Sequence, residues 1–176
     1  MKPHTLLKAA LVSTFCVTAS FGASAARAAG PMMTIDPSLV GTWKLVAADV
    51  LHPDGTRGRD FGAAPAGLLM IDRDGRYTLQ IYKTERPRFA SGDKPTGTPD
   101  EFKAAVMGTS SHFGMVSADT KAGTLTFSIE KSLYPNWEGD RQVRHYELKD
   151  DELSYRVVPR PNGDVPISVW KRVRAM

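Results

Sequence analysis

Cysteine is all but missing: a single one, Cys16, stands among 176 residues, and it falls inside an N-terminal leader. The rest of the chain is therefore expected to have no disulfide, no thiol nucleophile and no cysteine-ligated metal. Histidine is nearly as scarce. With His4 in the same leader, His52, His112 and His145 remain, and no two have the i, i+4 or tight strand spacing that a three- or four-ligand metal site favours. No nucleophile elbow, phosphate-cradling glycine loop, HExxH or complete calcium loop is present. Asp72-Arg73-Asp74-Gly75 has the opening of a calcium loop without its remaining ligands, so it reads as a hairpin turn. No cofactor, metal or catalytic residue is assigned on these grounds. A long apolar run is lacking too: residues 9–22 are bounded by Lys8 and end in small residues, short of the ~20 that a membrane span needs.

That short run, with Lys2 and Lys8 before it, has the form of a secretory signal peptide over 1–28. Cleavage fits after Ala25 or after Ala28, and the product is expected to be periplasmic or secreted. Phe15 before Cys16 argues against a lipid anchor, which requires a small residue there. Losing Lys2, Lys8 and Arg27 with the leader leaves 20 basic against 19 acidic residues. The basic surplus thus belongs mostly to the leader, and no nucleic-acid footprint is expected. Residues 29–38 read as a linker and 39–176 as one domain, large enough to stand on a single core.

What the remainder has in abundance is short β-prone runs cut by turn signals. The first, 39–50, begins with Gly41-Thr42-Trp43 and ends at His52-Pro53-Asp54-Gly55. Residues 57–66, broken by Gly58, Gly62 and Pro65, read as a loop or lid. Residues 67–71 and 76–82 form a hairpin in which Tyr77, Leu79 and Ile81 share a face. After an irregular excursion at 84–99, Thr98-Pro99-Asp100-Glu101 opens a short helix that Gly108 stops, expected to cover an opening or one wall. Strands follow at 109–117, 123–131, 142–148, 152–158 and 165–173. The class is all-β: eight antiparallel strands (up to ten) in an up-and-down barrel with one short helix, a size that side chains can fill or that holds one small ligand.

The run Leu39-Val40-Gly41-Thr42-Trp43-Lys44, the Phe61-to-Gly67 loop, Asp74-Gly75-Arg76, Pro135-Asn136-Trp137-Glu138-Gly139, Gln142-Val143-Arg144 and Trp170-Lys171-Arg172 together resemble the bacterial and fungal lipocalin-like domain family. The resemblance implies a barrel of eight to ten strands that binds small hydrophobic or amphipathic molecules. It also implies that Trp43 packs against Arg172 and closes the barrel base. The sequence departs from the family pattern at His112-Phe113-Gly114-Met115 and at Phe127, where a histidine is often found. That loss favours binding over catalysis.

Ligand-binding candidates are Tyr77, Phe127, Trp137, Arg144 and Tyr155. Leu125, Phe127 and Ile129 share a face and read first as core. Arg144 and Tyr146 share another, with Arg156 opposite Tyr155. An inward Arg144 requires a carboxylate, from Glu130, Glu147 or a ligand; unpaired, it points to an acidic amphipathic ligand. Trp137 either caps the mouth or packs on the 98–107 helix, the latter being favoured. The expected function is an exported carrier of a small hydrophobic or amphipathic molecule, monomeric or weakly dimeric, without a membrane span. The alternative is an isomerase, cyclase or hydrolase using the cavity, with His112, His145, Tyr155 or Arg144 as acid, base or anion clamp. A third reading is an envelope protein that uses 84–99 as a contact loop.

Overall fold

The structure, a computed structural model, describes residues 35–174; the leader and most of the linker lie outside them. Nine strands form one sheet: β1 (Gly41–Leu51), β2 (Arg57–Gly58), β3 (Ala66–Ile71), β4 (Arg76–Tyr82), β5 (Thr109–Asp119), β6 (Thr124–Ser132), β7 (Arg141–Lys149), β8 (Glu152–Arg156) and β9 (Val165–Arg172). Every pairing is antiparallel. Because β1 also pairs with β9, eight strands close into a barrel, and β2 is an added strand beside the far end of β1. The residues expected to form a loop or lid thus include a short strand that continues the sheet past β1.

Period-two patterning places the core, but two bulges re-phase it. Trp43 and Leu45 point inward from β1. The register then shifts between Leu45 and Ala47, leaving Val46 outside, after which Ala48 and Val50 point inward. On β6, Leu125, Phe127 and Ile129 are inward. There the ladder to β5 slips between Phe113 and Gly114, so that Glu130 and Lys131 both face out. Gly114 sits at this slip: a Cβ on it would lie 2.1 Å from the Ser128 carbonyl. It is also the register partner of Tyr77.

The base is closed by the turn that precedes β1. Asp36 caps a 3-10 turn, Pro37–Leu39. The Trp43 indole N–H donates to the Leu39 carbonyl at 3.0 Å. Opposite Trp43 in register is Arg172, whose guanidinium carbon lies 4.0 Å from the indole centre. Its Nη1 donates to Val40 O at 2.8 Å and its Nη2 to Ser38 O. Trp43, Leu39 and Trp170 are wholly inaccessible.

The one α-helix among the described residues, α1 (Pro99–Met107), has the expected start: Thr98 and Glu101 form a reciprocal capping box, with Gly108 at the other end. Its expected role as cover or wall differs from what is seen. No residue of α1 is buried; Phe102 instead meets Phe89 of the preceding excursion edge-on, at 5.3 Å between ring centres. Its apolar positions are too few and too scattered to dock a whole face on the barrel.

Candidate functional site

Five of the barrel's inward side chains meet around one histidine. From β4, Tyr77 reaches His112 of β5, its hydroxyl 2.7 Å from Nδ1. The Tyr77 ring stands edge-on to Phe127 of β6 at 4.9 Å, and Phe127 lies 5.8 Å from Tyr155 of β8. Arg144 of β7 lays its guanidinium over both, 4.2 Å from the Phe127 centre and 4.9 Å from that of Tyr155. Trp137, in the 3-10 turn Pro135–Trp137, stands edge-on over His112 at 6.1 Å and beside Tyr134 at 5.6 Å. So Tyr77, Phe127, Trp137, Arg144 and Tyr155 come together, and His112, an acid/base candidate of the alternative reading, stands at their centre. Trp137 meets a core histidine rather than the expected helix; its turn packs on β6, whereas α1 packs on the start of β5. His145 and Arg156 are exposed.

The electrostatics of the cluster follow from burial. His112 is 2% exposed. Desolvation first, and the Arg144 charge second, push its pKa down to about 3, so it is neutral. Burial also raises the Tyr77 hydroxyl far above its ordinary value, the nearby Arg144 charge opposing this in part. These facts fix the histidine tautomer. Arg144 Nη2 can only donate and lies 3.4 Å from Nε2, so Nε2 carries the lone pair and Nδ1 the hydrogen. His112 Nδ1–H then donates to the Tyr77 oxygen, leaving the Tyr77 hydroxyl hydrogen free to donate onward.

Arg144 itself is 4% exposed. Among the described residues no carboxylate pairs with it, and Glu130 and Glu147 are both exposed. Its Nη2 donates to the Gln142 amide oxygen at 2.8 Å, a neutral acceptor for a charged group. Among the described residues, three buried side-chain polar atoms have no hydrogen-bond partner: Arg144 Nε, the Tyr155 hydroxyl and Trp170 Nε1. Tyr155 links the other two, since its ring stands 6.4 Å from that of Trp170. Leaving a buried donor unmade costs about 1–3 kcal/mol, more for a charged group.

The rings of the cluster are in contact with one another, with Phe61 and Trp137 partly buried against the core they belong to. An open hollow of about 460 Å³ is lined by Thr42, Met70, Asp72, Arg76, Thr78 and Phe113, and of the cluster it borders only Tyr77. Among the described residues no group of three or more His, Cys, Asp or Glu could hold a metal ion, and no helix is long and apolar enough to cross a membrane.

Among curated proteins none matches the chain. A family model described as a lipocalin-like domain matches residues 40–173, a span that runs from the first barrel strand through the last and takes in the whole buried cluster. With the closed antiparallel barrel and the Trp43–Arg172 base, that match identifies the chain as a member of the lipocalin-like domain family.

Proposed function

We propose that the protein is an exported carrier that binds one small hydrophobic or amphipathic molecule inside its barrel. The observation that carries this reading is the set of unmatched donors in an otherwise apolar interior: Arg144 Nε, Tyr155 Oη and Trp170 Nε1. Folding alone gives no reason to bury them, because apolar residues of the same volume would cost less. A ligand with an acceptor would satisfy them. Since the aromatic rings touch, the ligand enters by displacing the side chains that cover the cluster at the open end, Trp137 and Phe61 first. Extraction of the purified protein, native mass spectrometry, and titration with fatty-acid, isoprenoid and aromatic probes test the reading. A recovered or bound molecule that shifts tryptophan emission is expected. Repeated failure to recover any ligand, with no probe bound, would sink it.

The hydrogen-bonded run Arg144–His112–Tyr77 favours one second reading, a small-molecule isomerase, cyclase or hydrolase with the Tyr77 hydroxyl as donor. The check is to incubate the ligand recovered from the protein with fresh protein. Conversion that disappears in His112→Gln while binding persists supports catalysis; an unchanged ligand removes it.

A further inference from the structure

We infer that the barrel's ligand is an acid whose carboxylate, or an equivalent oxyanion, sits head-inward against Arg144 and Tyr155. This rests on the carrier reading above and names the chemical class of its cargo. The inventory of polar groups inside the barrel is one-sided. Arg144 Nε–H, Trp170 Nε1–H and the Tyr155 hydroxyl have no partner, and the tautomer of His112 frees the Tyr77 hydroxyl hydrogen as a further donor. Against these stand only neutral acceptors: the Gln142 amide oxygen, already engaged by Arg144 Nη2, the buried Ser168 hydroxyl and the tyrosine oxygens themselves. A ligand bearing only donors could engage the tyrosine or Ser168 oxygens but would leave the Arg144 guanidinium without a negative partner. A bare hydrocarbon would leave every donor unmatched. A carboxylate offers two oxygens with about four lone-pair directions and supplies the negative charge that the buried guanidinium lacks.

Position sets the orientation. Tyr155 Oη and Arg144 Nε belong to side chains 2% and 4% exposed, so the acidic head lies deep. Gln142, one inward step along β7 toward the open end, is half-buried; its amide holds the guanidinium until the acid arrives. The apolar tail then extends past Ile129 and under Trp137. Below the head there is no room, because Leu153, Trp170 and Trp43 fill the base.

The experiment compares cis-parinaric acid with its methyl ester, two probes that share a tail and differ only in the head, on the full chain and on variants. The wild type is expected to bind the acid at least roughly tenfold more tightly than the ester, since charge-assisted hydrogen bonds are the strong ones. Arg144→Met is expected to abolish that preference while still binding the ester, and Tyr155→Phe to reduce it about threefold. Equal binding of acid and ester by the wild type would overturn the inference and leave the carrier reading standing. Binding of neither probe would overturn the inference and, joined to failure to recover any ligand on extraction, would remove the carrier reading as well. An undiminished preference in Arg144→Met would equally overturn it. Should that variant fail to fold, Tyr155→Phe and Trp170→Phe each delete a single donor, and an unchanged acid preference in both would be decisive against it.

Discussion

The two ends of the barrel are built by different rules. At the base the strands are joined by the short turns 72–75, 120–123 and 150–151, with Gly75 and Gly123 at positive φ and Asp150 at φ 53°. The stopper there is apolar and fully buried: Trp43, Leu39 and Trp170, with Arg172 clamped over the indole. At the other end the connections are long, 59–65, 83–98, 133–140 and 157–164. They are fastened mostly by polar contacts at the surface: His52 with Asp164 at 2.8 Å, Arg160 with Asp60 at 3.3 Å, and Thr84 with the Phe61 carbonyl at 3.2 Å. Contacts of the first kind are worth kilocalories and hold at all times. Those of the second kind are screened by solvent and contribute little, so they can open without unfolding what lies beneath. Rigidity at one end and ease of opening at the other are what the proposed carrier would require.

The largest effect that would sharpen this contrast is at the base. Trp43→Ala is expected to cost about 3–5 kcal/mol, read as a lower urea midpoint, whereas Trp137→Ala at the entrance should cost about 1 kcal/mol. Comparable losses in the two variants would break the comparison.

Next comes acid sensitivity between the two ends. His112 has its folded pKa lowered from 6.5 to about 3. Below pH 6.5 the unfolded chain takes up a proton that the folded chain refuses, so this stability is present above pH 6.5 and is lost as pH falls toward 3. The slope is about 1.4 kcal/mol per pH unit. Between pH 6.5 and 5, before most carboxylates titrate, wild type should lose stability on acidification and His112→Gln should not. Parallel curves would mean that His112 is hydrated.

Smallest is the latch at the entrance. The hydrogen bond to Asp164 raises the His52 pKa, and the same bond lowers that of Asp164. Their mutual support is therefore fully present between the ordinary values of the two groups, 3.8 for Asp164 and 6.5 for His52. It fades as pH rises through the raised His52 pKa or falls through the lowered Asp164 pKa. Asp164→Asn should leave the denaturation midpoint in place yet speed probe dissociation in stopped flow. A shifted midpoint with unchanged dissociation would assign these loops a structural role instead.

Much of this was legible in the residues. Alternation in 76–82 and 124–130 marks the inward faces, and the Gly-Thr-Trp opening with a terminal arginine marks the closure, because both signals are local and strictly periodic. The bulges at Val46 and Glu130 were not, since a bulge is decided by how two strands meet across the sheet. His112 is marked in the sequence only as one acid/base candidate among several; its central place is not, because only closure of the barrel brings Tyr77 and Arg144 to its two nitrogens. A signal was nonetheless present in its odd-even phase with Gly114 and Val116. The misplaced partner of Trp137 has the same origin, for nothing in a loop sequence says which neighbouring element it will fold onto.

The seam where β1 meets β9 joins Trp43 to Arg172 and Leu51 to Val165, the most distant stretches of the domain along the chain. Nothing can close before the final strand is made, so the barrel is a late and comparatively slow product of folding. Until that moment both β1 and β8 present an open edge able to pair with another chain. Truncation by even the last few residues of β9 should therefore do more than weaken the fold: it should turn a self-contained cylinder into an open ribbon with two adhesive borders.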